Sequence, residues 1–191
     1  FGFSAVPRRY DPGSDRILVV ALSLRKNNVA ITNVTYGGVG GFTLAGEVFG
    51  GGADHRVQFW YKVAPPVGSA TVSVTTGGDL EFVGAATSLT GVHPTAPTRP
   101  FVGTSGSSTA PSVTATSAAG ELVLAALSNS GDTGSVSLVS GTERWRNITG
   151  TGDGNQFAAG SSGAGAASVT LSWSMGNSNK WAMGALAVKP A

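Results

Sequence analysis

The 191 residues contain no cysteine. That excludes disulfides, Cys-ligated zinc and a thiol nucleophile, and it leaves the compartment open. Charge is scarce as well: Asp, Glu, Lys and Arg make up 12% of the chain, about half the usual share. The twelve basic and ten acidic residues are scattered, with Arg8-Arg9 and Arg25-Lys26 the only adjacent cations. Without a basic stripe to track phosphates, nucleic acid is not an expected partner. No apolar run approaches the roughly 18 residues that a membrane-spanning helix needs, so no membrane insertion is expected. Histidine is limited to His55, beside Asp54, and His93, before Pro94. Two separated histidines do not make a metal site, and no serine sits in a nucleophile-elbow pattern. The residues point away from an enzyme.

Helical periodicity is also nearly absent, and strand-and-turn grammar takes its place. Short apolar runs rich in Val, Thr, Phe and Trp are bounded by Pro12-Gly13, Gly37-Gly38, Gly50-Gly51-Gly52, Pro65-Pro66, Gly77-Gly78 and Gly131-Asp132. Strands are predicted near 3–7, 15–24, 29–36, 42–49, 55–64, 69–76 and 80–90. A second set is predicted near 111–117, 121–129, 135–139, 142–149, 155–160, 168–174 and 180–188. The second set loosely echoes the first. RILVVALSL from Arg16 is answered by ELVLAALSN from Glu121, and FVGAATSL from Phe82 by WAMGALAV from Trp181. RVQFWYKVAPPVGSATVSV from Arg56 likewise meets NQFAAGSSGAGAASVTLSW from Asn155. The expected fold is all-β, a single two-sheet β-sandwich or jelly roll over 1–191 with a loose internal duplication. Halves 1–92 and 111–191 would be joined by a Pro- and Ser-rich connector, 93–110, and would contribute strands to common sheets.

Strand phase separates core from candidate site. In 55–64, Val57, Phe59, Tyr61 and Val63 share one face, and Arg56, Gln58, Trp60 and Lys62 share the other. The first set should face inward, together with Val169, Leu171 and Trp173. Ile17, Val19, Ala21 and Leu122, Leu124, Ala126 belong to strands that are apolar on both faces, which calls for cover on both sides. The polar row of 55–64 should then meet solvent. Trp60 beside Arg56, Gln58 and Lys62 is a candidate glycan platform, because a flat ring covers a pyranose face while polar neighbours bond its hydroxyls. Burial by a loop or by a second subunit is the competing reading of Trp60. Trp145, bracketed by Arg144 and Arg146, would join the site if its strand neighbours 55–64; otherwise those arginines shield a sheet edge. Asp11 with Asp15, and Asp153 with Asn155, lie in Gly-containing loops whose oxygens could hold a structural calcium, although such loops are also ordinary turns.

Four segments carry a likeness to known proteins: Arg16 to Leu22, Val34 to Gly38, Trp60-Tyr61 with Pro65-Pro66, and Gly184 to Pro190. From about Asp15 to Pro190 the chain resembles bacterial and phage-associated β-sandwich surface modules, themselves similar in outline to jelly-roll carbohydrate-binding modules. The resemblance implies a sandwich fold and exported or particle-borne proteins, and it supplies no catalytic residues. The expected function is therefore non-catalytic attachment or assembly at an extracellular, cell-surface or virion surface, with a glycan as the recognised partner. The alternative is a purely structural, self-assembling subunit of a filament, spike or virion that meets copies of itself as a homo-oligomer or another subunit. Phe1 in place of an initial methionine fits either a removed leader or a trimmed chain.

Overall fold

The computed structural model describes residues 2–5, 15–25, 28–51, 55–130, 135–149 and 156–191. Among these residues there is no helix. The first strands in chain order are β1 (Gly2–Ala5), β2 (Arg16–Arg25), β3 (Ile31–Tyr36), β4 (Thr43–Phe49) and β5 (His55–Val63). Next come β6 (Ala70–Thr76), β7 (Phe82–Thr90), β8 (Val102–Ser108), β9 (Ser112–Thr116) and β10 (Leu122–Ser130). The last are β11 (Ser137–Ser140), β12 (Thr142–Thr149), β13 (Gln156–Ala164), β14 (Ser168–Ser174) and β15 (Asn179–Val188). The predicted strands match these closely, with one omission.

The strands form four sheets where two were expected. β1-β6-β3 and β4-β5-β2-β7 come from the first half, β12-β13-β10-β15-β8 and β11-β14-β9 from the rest. Three apolar clusters order them as layers. Leu18, Val20 and Leu22 of β2 pack with Val34, Tyr36 and Val72, joining the first outer sheet to the first inner sheet. Ile17, Val19 and Phe59 pack with Leu124, Ala126 and Leu186, joining the two inner sheets. Val123, Leu127 and Phe157 pack with Val113, Leu171 and Trp173, closing the second outer sheet on its inner partner. This stacking explains the doubly apolar strands. β2, β10 and β15 lie in inner sheets, so successive side chains enter different interfaces and each face needs apolar cover. Fully burying a large apolar side chain such as Phe59 or Leu186 contributes about 1.5–3 kcal/mol, and the central stack holds many of them. Each half has enough strands to cover its own inner sheet, so the halves meet face to face; among the described strands none is shared between their sheets, and one bridge, Val92 to Pro190, crosses between them.

Strand order in the second pair of sheets repeats that of the first: β9, β14, β11 match β1, β6, β3, and β12, β13, β10, β15 match β4, β5, β2, β7. A bulge falls at corresponding places, between Leu44 and Gly46 of β4 and between Glu143 and Trp145 of β12. β8 has no counterpart among the described residues of the first half. It is also the omitted strand. The 93–110 segment does not merely connect: β8 pairs along Asn179–Ala185 of β15, and the Arg99 N–H donates to the Ala187 carbonyl (3.0 Å). VGTSGSS hid this role because an edge strand exposed on one face needs little apolar alternation.

The turn after β3 shows local chemistry at work. Tyr36 and Val39 exchange backbone hydrogen bonds (3.0 Å each) around Gly37 at φ +58 and Gly38 at φ +80. Two successive positive φ values are what a two-residue hairpin of this hand requires, and glycine supplies them without strain.

Candidate functional site

The polar row of β5 lies where strand phase puts it, opposite the face of Val57 and Phe59. It is not an open surface: Arg56 and Gln58 are buried, and only Trp60 and Lys62 keep part of their surface in solvent. Because β5 belongs to an inner sheet, this face turns toward the first outer sheet, where Trp60 packs against the Leu18–Val34–Val72 cluster. Arg56 and Gln58 are each only 4% exposed, while Trp60 and Lys62 are partly buried. The expectation of an open polar face is corrected by the extra layer above it.

Buried polar groups need partners, and here they supply one another. The Trp60 indole Nε1–H donates to Gln58 Oε1 (2.9 Å), and Gln58 Nε2 donates to Glu47 Oε2 (2.9 Å) on β4. Arg56 Nη2 donates to the Val29 carbonyl (2.6 Å), and its Nη1 lies 3.9 Å from Glu47 Oε2. The guanidinium also sits 5.8 Å from the Phe49 ring centroid, a cation–π distance. Lys62 Nζ donates to the Gly40 carbonyl (2.7 Å). Burial lowers the Arg56 pKa, opposed by the Glu47 charge. The row is a charge-assisted strut between sheet and loops. Glu47, which anchors it, was not singled out by sequence reasoning; an acidic residue in the strand directly before the row was the available signal.

Trp145 is not part of that row. It lies on edge strand β12 and packs against the cluster between the two inner sheets, a different interface from that of Trp60. Its indole lies flat over Gly160, where a Cβ would come within 2.1 Å of Nε1. The flanking arginines are engaged: Arg146 Nη2 and Nε donate to Glu143 (2.6 and 2.7 Å), and Arg144 Nε donates to Ser162 Oγ (2.7 Å). The edge position and the bulge agree with a shielding role for these charges. A gap beside Trp145, no larger than a water molecule, is bounded by Phe59, Ala85, Leu124 and Arg144.

Of the calcium candidates, Asp11, Asp153 and Asn155 lie outside the described residues, as does Asp54. Asp15 has φ +66, and its backbone carbonyl accepts the Val92 N–H (3.0 Å), a turn role. No group of three or more His, Asp or Glu residues comes together among the described residues. His55 is 1% exposed, and His93 Nδ1 accepts the Ala96 N–H (3.1 Å), fastening its own loop. No protein-family profile, curated protein or solved structure matches this chain.

Proposed function

We propose that this chain is a non-catalytic structural subunit that assembles with copies of itself at the exterior of a cell or particle. Its halves are read as two versions of one repeat, β1 to β7 and β9 to β15, within a single sandwich-type domain. The observation that carries this reading is the finish of the inner-sheet edges. β4 and β12 bear bulges and charged side chains, whereas β8 presents regular, uncharged backbone. Natural sheets blunt edges that must stay single, and leaving a long one plain suits subunits that pair. The 12% charge content and hydroxyl-rich strands favour repeated close contacts over long-range repulsion, and the likeness to surface modules supports an exterior location. Light scattering on the purified chain from micromolar to millimolar concentration tests the reading: the mass should climb with concentration, and a constant monomer mass rejects it.

One observation favours a second reading, glycan attachment: the Trp60 ring keeps part of its surface in solvent beside Lys62. With Arg56 and Gln58 committed inside, any sugar contact rests on those two side chains. An array-positive sugar whose weak, salt-insensitive binding disappears in a folded Trp60→Ala variant would support it, and unchanged binding would remove it.

A further inference from the structure

We propose that two copies of this chain join through β8 about a two-fold axis, the outer edge of each β8 pairing antiparallel with the same edge of the other copy. The joint merges the two five-stranded inner sheets into one. The inference rests on the assembly reading above and names the surface and the symmetry that carry it.

The first argument is where the backbone groups of β8 go. β8 closes its sheet at one end and pairs on its inner side, along Asn179–Ala185 of β15. Among the described residues no hydrogen bond reaches the outer side of the backbone from Val102 to Ser107. The Ser108 hydroxyl is used at the strand end, accepting from the Ala110 N–H (3.2 Å) and from Trp181 Nε1 (3.0 Å). Gly103, Ser105 and Ser107 are exposed. β7, the edge at the end of the first inner sheet, is different. Phe82 is engaged, and just past the strand the Ala191 N–H donates to the Gly91 carbonyl (2.9 Å) and the His93 N–H to the Lys189 carbonyl (3.0 Å).

The second argument is how the remaining edges are finished. β3, β4, β11 and β12 are each interrupted by a register shift. β4 also carries Glu47, and β12 carries Glu143, Arg144 and Arg146. β1 and β9 are short, four and five residues. Bulges, charge and short length are the common devices against edge pairing. β8, at seven residues, uses none of them: VGTSGSS lacks charge and proline, and its ladder is unbroken.

The third argument is symmetry. With one long plain edge among the described strands, a joint between copies sets that edge against itself. Such a contact is isologous and closes as a dimer, with no open series. β8 suits it, because an uncharged strand puts no like charges opposite one another across the axis. With full overlap the axis passes at Ser105, the middle of the strand, and the seam is about 23 Å long at roughly 3.3 Å per residue. One strand pair is small beside the roughly 1,200 Å² of a stable interface, so the dimer forms and dissociates with concentration.

Sedimentation velocity on wild type and on a charge-swapped pair of variants tests this. Ser105 and Ser107 are exposed, so S105K/S107K and S105E/S107E should fold, as circular dichroism and melting would verify. Wild type should pass from the 19.0 kDa monomer to a dimer of twice that mass between micromolar and millimolar concentration, and go no further. Each variant alone sets like charges across the axis, and its dimerisation midpoint should move to at least about tenfold higher concentration. An equimolar mixture of the two should dimerise again near the wild-type midpoint, because Lys then meets Glu. Dimers that persist unchanged in both variants, a mixture that stays monomeric, or a wild type that grows beyond the dimer would overturn the β8 joint and leave the assembly reading intact. A wild type that is monomeric at every concentration would overturn both.

Discussion

The two halves of the molecule share a strand order and fill it with different side chains. In the first half, the β5 face toward the outer sheet carries Arg56, Gln58, Trp60 and Lys62, tied to Glu47 and to loop carbonyls. In the second half, the corresponding face of β13 carries Phe157 and Ala159 in an apolar cluster with Leu171 and Trp173. The opposite face shows an exchange of size. Phe59 stands across from Ala21, with Gly46 beside it on β4, while Gly160 stands across from Ala126, with Trp145 beside it on β12. Phe101, from the 93–110 segment, covers Gly46, and Trp145 covers Gly160, so a large ring lies on a glycine at both places. Alternation and turns set the topology; the filling is exchangeable provided that volume and polar pairing are kept.

Breaking that exchange should give graded effects. Phe59→Ala removes a ring that is 1% exposed and touches both halves, and it should cost about 3–5 kcal/mol in denaturant unfolding. Trp60→Ala should cost clearly less, since its ring is partly exposed; equal losses would mean that the outer sheet covers Trp60 more fully than described. Gly160→Ala is the mirror test. Its Cβ would fall 2.1 Å from the Trp145 Nε1, forcing the indole outward at a cost of about 1–3 kcal/mol. Combined with Trp145→Gly, the alanine should be tolerated, and a double-mutant cycle reads that coupling. Smaller still is an acid-side effect. The Glu121 carboxylate accepts hydrogen bonds from Arg99 Nε (2.7 Å) and the Ala118 N–H (3.1 Å), and the Arg99 bond holds its pKa below the usual carboxylate range. A lowered folded-state pKa contributes stability that is present above the unfolded value and lost as pH falls through the folded one. Melting temperature should therefore drop on acidification below about pH 4.3, and Glu121→Gln should flatten that limb while lowering the neutral-pH plateau.

Much of this was legible in the chain. Strand positions followed from alternation and from turn residues, and the two-faced apolarity of Ile17 to Leu24 and of Leu122 to Leu127 announced inner strands. The face of Phe59 was likewise readable from phase. What phase cannot tell is what lies over the other face. Arg56, Gln58 and Lys62 read as a solvated row because polar side chains usually meet water, and their pairing with Glu47, Val29 and Gly40 depends on loops distant in sequence. β8 escaped for the opposite reason: Gly and Ser are common in connectors, and an edge strand is held by backbone hydrogen bonds that leave no side-chain signature.

If the first outer sheet covers β5, Gln58 is interior in solution. The cysteine-free chain allows a direct measurement, the alkylation rate of single cysteines introduced on each layer. Gln58→Cys and its second-half counterpart Ala159→Cys should both resist labelling in native buffer and react only on unfolding, while Ser105→Cys on the exposed edge reacts at once. If Gln58→Cys were labelled as fast as Ser105→Cys while Ala159→Cys stayed protected, the first outer sheet would not cover β5 in solution. The row would then be an open surface, free to meet a ligand.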